Sequence, residues 1–131
     1  MKDADLLLCA KLLRGLGDPS RLRVLETLRD RPLSAGAIVD RTGLSQPNAS
    51  MHLHCLAECG LVTWERTGKF VHYRIADRRV VRLLDQTREL LLHVGPLIEA
   101  CPRYRQSGRV SPNGERRARR RSTRSSSPAP S

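Results

Sequence analysis

Two cysteines, Cys55 and Cys59, stand four positions apart in a segment whose apolar residues have helical spacing. Residues at positions i and i+4 of a helix face the same way, with Cβ atoms about 5–6 Å apart. Two sulfurs bonded to one tetrahedral metal ion at about 2.3 Å lie nearly that close together. A relaxed disulfide requires a shorter Cβ separation of about 3.5–4.5 Å. The pair therefore predicts reduced thiols that bind a metal ion.

The other two cysteines differ in their setting. Cys9 falls on the apolar stripe of the first predicted helix, where packing is the simpler role for a small apolar side chain. Cys101 follows Ala100 and precedes Pro102, at the predicted end of the last helix. It can therefore reach toward a neighbouring subunit, or remain an exposed thiol without a role.

Apolar spacing and capping residues predict five helices that position these groups. The fourth carries the cysteine pair and follows the third after the short turn Thr42-Gly43-Leu44. Two helices joined by a tight turn with glycine, the second with a polar leading face, form the helix-turn-helix pattern that reads DNA. The predicted helices run from Asp5 to Leu16, from Asp18 to about Asp30, from Ser34 to Arg41, from Ser45 to Gly60, and from Asp77 to Pro102.

After the fourth helix the apolar period changes to two over residues 61–66 and 70–75. The connection Thr67-Gly68-Lys69 makes this a hairpin with a basic tip. The predicted fold class is mainly α with a small β-hairpin, a winged helix-turn-helix. The apolar faces of the first and last helices are wider than one small core can cover, which predicts a homodimer through those two helices.

Charge indicates the class of partner. The net charge is +11, and seven arginines and one glutamate in residues 106–131 supply +6 of it. Such an excess favours phosphate-rich partners because neutralised phosphates release counterions. Low aromatic content, 3%, disfavours a platform for single-stranded bases. We expect a DNA-binding and dimerisation domain over 1–105 and a disordered Arg/Ser/Pro-rich tail over 106–131.

Membrane and enzyme functions receive no support. The chain has no apolar run near the ~20 residues that span a bilayer, and its start, Met1-Lys2-Asp3, is too acidic for a secretory signal. We therefore expect a cytoplasmic protein with no membrane partner. No catalytic Ser/His/Asp set, phosphate loop or carboxylate pair occurs at a meaningful spacing, so we do not expect an enzyme.

Four runs of sequence, in order, resemble the ArsR/SmtB family of winged-helix metal-sensing repressors over roughly residues 3–101. The resemblance implies a homodimer that binds double-stranded operator DNA and releases it when metal binds. The runs are Gly17-Asp18-Pro19-Ser20-Arg21-Leu22-Arg23-Val24-Leu25, Ser45-Gln46-Pro47-Asn48-Ala49-Ser50 with His52-Leu53, Gly60-Leu61-Val62, and Gly68-Lys69 with Tyr73-Arg74.

The family's branches place their metal ligands on different helices. Here Ile38-Val39-Asp40 has no thiol at the helix-three site, and Asp85-Gln86-Thr87 lacks the histidine of the last-helix site. The remaining pattern resembles the cadmium- and lead-sensing branch, in which two cysteines of the reading helix join one from the partner's C-terminal region. The resemblance thus implies the ligands Cys55, Cys59 and Cys101. Three thiolates form a soft site for Cd(II) or Pb(II), with Zn(II) as a further candidate.

The predicted DNA contacts come from two elements. Small polar groups near a helix N-terminus can reach base edges and phosphates, and basic side chains of a hairpin can reach phosphates or the minor groove. On the reading helix they are Ser45, Gln46, Asn48, Ser50, His52 and His54, and on the hairpin Arg66, Lys69 and Arg74. His52 also remains a candidate metal ligand.

The predicted function is a dimeric, metal-responsive transcriptional repressor. Two alternatives stay open. In one, the thiols of the same repressor respond to oxidation instead of metal. In the other, the chain is a basic RNA-associated protein whose tail makes the main contact.

Overall fold

The computed structural model of the protein describes residues 1–102. The predicted tail, residues 106–131, and the predicted boundary at residue 105 lie outside this part. The predicted class, mainly α with a small hairpin, is confirmed. In chain order the elements of residues 1–102 are α1 (Asp3–Leu16), α2 (Pro19–Thr27), β1 (Leu33–Ser34), α3 (Ala35–Thr42), α4 (Gln46–Glu58), β2 (Val62–Thr67), β3 (Phe70–Ile75) and α5 (Arg78–Ala100).

Short polar side chains and a glycine set the helix ends, as the sequence predicted. The Oδ1 atom of Asp18 accepts a hydrogen bond from the backbone N–H of Ser20 at 2.8 Å at the start of α2. The Oγ atom of Ser34 accepts one from the N–H of Ala37 at 3.2 Å at the start of α3. Gly43 ends α3 in the left-handed region, with φ of 71°.

Two helices end earlier than predicted. Helix α2 ends at Thr27 and not near Asp30, and its C-cap residue, Leu28, is buried in the core. Helix α4 ends at Glu58, two residues before Gly60. Helix α5 continues through Pro96 to Ala100.

A short strand, β1, adds to the predicted hairpin and makes a three-stranded antiparallel sheet in the order β1–β3–β2. Leu33 pairs with Tyr73, and Ser34 pairs with His72. The sequence did not predict β1, because two residues carry no recognisable period.

The hairpin itself matches the prediction. Strands β2 and β3 pair antiparallel from Val62 opposite Ile75 to Thr67 opposite Phe70. The turn contains Gly68 with φ of 63°, a conformation that glycine adopts without a steric penalty.

One aliphatic core fixes the reading helix to the rest of its unit. Residues 1–89 form one compact unit, and residues 90–102 belong to a second. Every helix contributes to the core, together with β1 and β2. The core residues are Leu16, Val24, Leu25, Leu28, Leu33, Ile38, Leu53, Leu56, Val62, Val80 and Leu84.

Much of the apolar surface of α1 is not covered by its own chain. Of the predicted stripe only Leu16 is buried, and Cys9 is half-buried. Several leucines of α1 expose 42% to 68% of their surface, namely Leu6, Leu7, Leu8, Leu12 and Leu13. In the second unit, α5 exposes Leu90, Leu91, Leu92 and Leu97. None of the helices in residues 1–102 is long and apolar enough to cross a membrane.

Candidate DNA interface and metal site

The turn before α4 is held by its own side chains. Thr42 Oγ1 donates to the carbonyl of Ile38 at 2.6 Å and accepts from the N–H of Leu44 at 3.3 Å. Ser45 then caps α4, since its Oγ accepts from the N–H of Asn48 at 3.3 Å. The start of the predicted reading helix is therefore defined by side-chain hydrogen bonds on both sides of the turn.

Helix α4 has one buried face and one outward face. Its buried residues are Ala49, His52, Leu53 and Leu56. Because successive residues of a helix are about 100° apart, the opposite side carries Pro47, Met51, His54 and Glu58, here called the outward face. All four of these residues are exposed.

Most of the predicted α4 contacts are accessible. Ser45, Gln46, Asn48 and Ser50 are exposed at the N-terminal end of the helix. His54 is also exposed, and its Nε2 lies 3.1 Å from Oε1 of Glu58, one turn further along.

His52 requires a correction. It was predicted to contact DNA, but only 7% of its surface is exposed and it lies on the buried face between Ala49 and Leu56. Its Nδ1 atom is buried without a hydrogen-bond partner in the described part of the chain. A side chain in this position packs inside the domain and does not reach a DNA surface.

The three predicted hairpin contacts are all exposed, but they do not share one face. Arg66 stands opposite Val71, and Arg74 stands opposite Thr63. Side chains alternate along a strand, and directly opposed residues share a face, so Arg66 and Arg74 lie on opposite faces of the hairpin. Lys69 lies in the turn that joins the two strands.

One contact near the reading helix was not predicted. The Nη1 atom of Arg23, on α2, donates to the backbone carbonyl of Thr42 at 3.3 Å. Arg23 is exposed, and its cation therefore lies beside the turn that precedes α4. The only sequence signal was its place in the second-helix run, which does not reveal a partner 19 residues away.

Cys55 and Cys59 are at the C-terminal end of α4. The N–H of Cys59 donates to the carbonyl of Cys55 at 3.0 Å, and Cys59 is the last residue with helical dihedral angles. The N–H of Leu61 then bonds to Leu56 O at 3.0 Å and that of Gly60 to Ala57 O at 3.1 Å, which is a Schellman motif. Cys55 is half-buried and Cys59 is exposed. The helical period places both thiols between the buried and outward faces.

The cysteines are all free thiols. Cys101 is half-buried, and its N–H bonds to the carbonyl of Ile98 at 3.1 Å at the end of α5. Within residues 1–102 of one chain, no three His, Cys, Asp or Glu side chains are grouped closely enough to hold a metal ion. Of the three predicted ligands, Cys55 and Cys59 lie one turn apart at the end of α4, and Cys101 follows α5.

The position that resembles the family's last-helix metal site is used differently here. Asp85 Oδ1 lies 2.6 Å from Arg29 Nη1, and Arg29 Nε lies 3.2 Å from Glu26 Oε2. Hydrogen bonds from Arg29 to Glu26 and Asp85 raise the pKa of its guanidinium. Arg88 Nη2 also lies 3.2 Å from Glu26. The carboxylate of Asp85, which a metal ion at this position would need as a ligand, is thus paired with Arg29.

Comparison with known proteins agrees with this arrangement. Residues 18–63 match the family model described as bacterial regulatory protein, arsR family. Over 99 residues the chain is 34% identical to a probable mercury resistance operon repressor of Streptomyces lividans, which covers 76% of this chain and 79% of the relative. It is 39% identical over 85 residues to the HTH-type transcriptional regulator CmtR of Mycobacterium tuberculosis, covering 65% and 72%.

A solved structure is similar as well. The homodimeric winged helix-turn-helix DNA-binding domain Mb0332 of Mycobacterium bovis matches with a TM-score of 0.59 and 29% sequence identity. The match covers 69% of this chain and 86% of that one.

Proposed function

Since the chain belongs to the ArsR family of bacterial regulatory proteins, we propose that it is a homodimeric repressor that releases its operator when a soft divalent metal ion binds. The family consists of transcriptional regulators with a DNA-binding winged helix-turn-helix, which agrees with the prediction that the chain is not an enzyme. The observation that carries the metal proposal is the position of two free thiols, Cys55 and Cys59, on the reading helix.

The donor set fits a soft metal. Thiolates prefer soft or borderline cations, and a site of three thiolates suits Cd(II) or Pb(II), whereas zinc usually takes a fourth ligand. The Streptomyces lividans relative is a probable mercury resistance operon repressor, and mercury is likewise a soft, thiol-binding metal. Cys55 and Cys59 would hold the ion at the end of α4.

The third ligand of the proposed site is Cys101 of the partner subunit. A homodimer would supply Cys101 of a second copy to each pair of Cys55 and Cys59, as in the branch that the sequence resembles. The uncovered leucines of α1 support a dimer, because apolar surface of this extent is unfavourable in water. The homodimeric state of Mb0332 supports it as well.

The regulatory effect follows from linkage. Operator affinity falls on metal binding only when the metal-bound conformation binds DNA less well than the free one. A tie between α4 and the partner's Cys101 would restrict the spacing of the two reading helices, which must match successive major grooves. A coupling of about 1–3 kcal/mol would change operator affinity roughly 5- to 150-fold.

The proposed DNA contacts are those that are accessible. On α4 they are Ser45, Gln46, Asn48, Ser50 and His54. On the hairpin they are Arg66, Lys69 and Arg74, with Lys69 at the tip as the clearest phosphate contact. His52 is no longer in this set.

Titration with Cd(II) tests the ligand set, since thiolate-to-metal bonds give an ultraviolet absorption band. We expect the wild-type band to decrease in Cys55→Ser, Cys59→Ser and Cys101→Ser. Cys9→Ser is the matched control and should keep the full band. If the wild-type protein shows no band with Cd(II) but loses DNA affinity on oxidation, the signal is an oxidant and not a metal ion.

A mixed dimer tests whether the site crosses the subunit interface. One subunit carries Cys101→Ser, and the other carries both Cys55→Ser and Cys59→Ser. Neither homodimer has three ligands, but the mixed dimer has one complete set if the site is shared between subunits. We expect Cd(II) binding to return in the mixed dimer at one ion per dimer, and its absence there would contradict the shared site.

A further inference from the structure

The outward face of α4 carries an apolar residue where polar ones would be expected. Met51 lies in the middle of this face, opposite the buried residues, and 53% of its surface is exposed. It packs into no core of its own chain, although methionine is among the residues most often buried. Met51 thus presents an apolar group to the surroundings on the same face of α4 as His54.

The neighbours of Met51 limit what that partner can be. Ser50 precedes it, and His54 lies three residues further on, with its ring 3.1 Å from Glu58. Pro47, one turn earlier, is the other apolar residue of the outward face, and it adjoins the N-terminal cap at Ser45. Pro47 and Met51 therefore form an apolar strip on the outward face, toward the N-terminal end of α4.

The major groove offers one apolar group to such a strip. Thymine carries a C5-methyl group there, whereas cytosine has only a hydrogen at C5 and the purines carry no methyl group at their edges. Apolar side chains distinguish thymine by contact with this methyl group. The unbranched side chain of methionine adapts to irregular surfaces and can follow the methyl group into the groove.

We propose that Met51 is a specificity-determining residue that reads one thymine of each operator half-site through its methyl group. This inference rests on the proposed binding of operator DNA by α4. It adds a contact that involves no hydrogen bond and that was absent from the predicted contact set.

The test begins with the full-length dimer under metal-free, reducing conditions. Selection from a random duplex library defines its preferred sequence, and each thymine of one half-site is then replaced by deoxyuridine, which removes only the methyl group. We expect one position at which wild-type affinity falls about four-fold, which corresponds to about 0.8 kcal/mol for one buried carbon group.

Variants at Met51 complete the test. In Met51→Ala the affinity ratio of thymine to deoxyuridine at that position should fall from about four to about one, while Met51→Leu should keep most of it. Lys11→Ala, at an exposed position of α1 outside the proposed contacts, is the control and should leave the ratio unchanged. Because Met51 is exposed, unchanged circular dichroism and thermal unfolding are expected for both Met51 variants.

The outcomes separate this inference from the proposed function. A dimer that selects a sequence but shows the same deoxyuridine effect in wild type and Met51→Ala overturns the role of Met51 alone. A selected sequence with no methyl-sensitive thymine does the same. A wild-type dimer that selects no sequence overturns operator binding and this inference together.

Discussion

The backbone N–H of Cys59 is hydrogen-bonded to the carbonyl of Cys55 at 3.0 Å, at the last turn of the reading helix. The two thiols thus belong to consecutive turns of one rigid element, and any ligand that holds both also holds the end of α4. Ser45, Gln46, Asn48 and Ser50, four of the five groups proposed to contact DNA from this helix, lie toward its other end, whereas His54 directly precedes Cys55. In the proposed function, metal binding and DNA reading therefore use the same helix.

The helix end beside Cys59 depends on a left-handed glycine. Gly60 has φ of 76°, and a Cβ atom there would meet no neighbour within 4 Å, so the cost of Gly60→Ala is conformational. We expect the free energy of unfolding to fall by about 1–2 kcal/mol. Gly36→Ala is the control, since Gly36 lies in α3 and should tolerate or gain from alanine. Equal thermal unfolding of both variants would contradict the Schellman motif.

Replacement of His52 should affect the interior and not the operator contact. His52→Leu removes a buried Nδ1 that has no partner in residues 1–102 and keeps an apolar group in the core. The free energy of unfolding should stay the same or rise, by about 1 kcal/mol at most. Operator affinity should change less than two-fold. An affinity loss in a variant with wild-type thermal unfolding would return His52 to the DNA contacts.

Asp77 should give the protein a pH-dependent stability in acid. Its Oδ1 accepts from the N–H of Arg79 at 2.8 Å, and its Oδ2 lies 2.6 Å from Arg79 Nη2. The side-chain hydrogen bond from Arg79, with the backbone one, lowers the pKa of Asp77 from 3.8 to about 2.

Because the folded state favours the carboxylate, the contribution of Asp77 is present above pH about 4 and is lost as pH falls through about 2. Carbon NMR titration of the Asp77 carboxyl should show a midpoint of about 2, moving toward 3.8 in Arg79→Met. A wild-type midpoint near 3.8 would refute the interaction. Asp77→Asn keeps a capping acceptor but should remove this part of the pH dependence.

Lys69 should contribute to operator binding without regard to sequence. The logarithm of affinity falls with the logarithm of salt concentration by about 0.9 for each neutralised phosphate. Lys69→Gln in both subunits should therefore reduce that slope by about two and weaken all duplexes alike. Lys11→Gln, on α1, removes the same charge elsewhere and should reduce the slope much less. A change in preferred sequence would assign Lys69 to base contacts instead.

The helices were predictable because their capping residues and apolar periods agree. Asp18 and Ser34 cap where the sequence indicated, and Gly43 stops α3. Strand β1 was not predictable, since Leu33 and Ser34 become a strand only when the fold brings them beside β3. Pairing of this kind depends on contacts between residues distant in the sequence.

The site was predicted less completely than the fold. The burial of His52 follows from its spacing with Ala49, Leu53 and Leu56, a regular helical pattern, but its polar side chain suggested a surface position. The opposite orientations of Arg66 and Arg74 depend on the register of two strands, which the sequence does not specify. The ligand group formed by Cys55, Cys59 and Cys101 remains a prediction.

Operator affinity with and without Cd(II), measured for wild type, Cys59→Ser and Cys9→Ser, tests the central claim most directly. The metal switch predicts a fall of roughly 5- to 150-fold in wild type and in Cys9→Ser at saturating Cd(II), and no change in Cys59→Ser. An equal response in wild type and Cys59→Ser would remove the reading-helix thiol from the switch and contradict the proposed function.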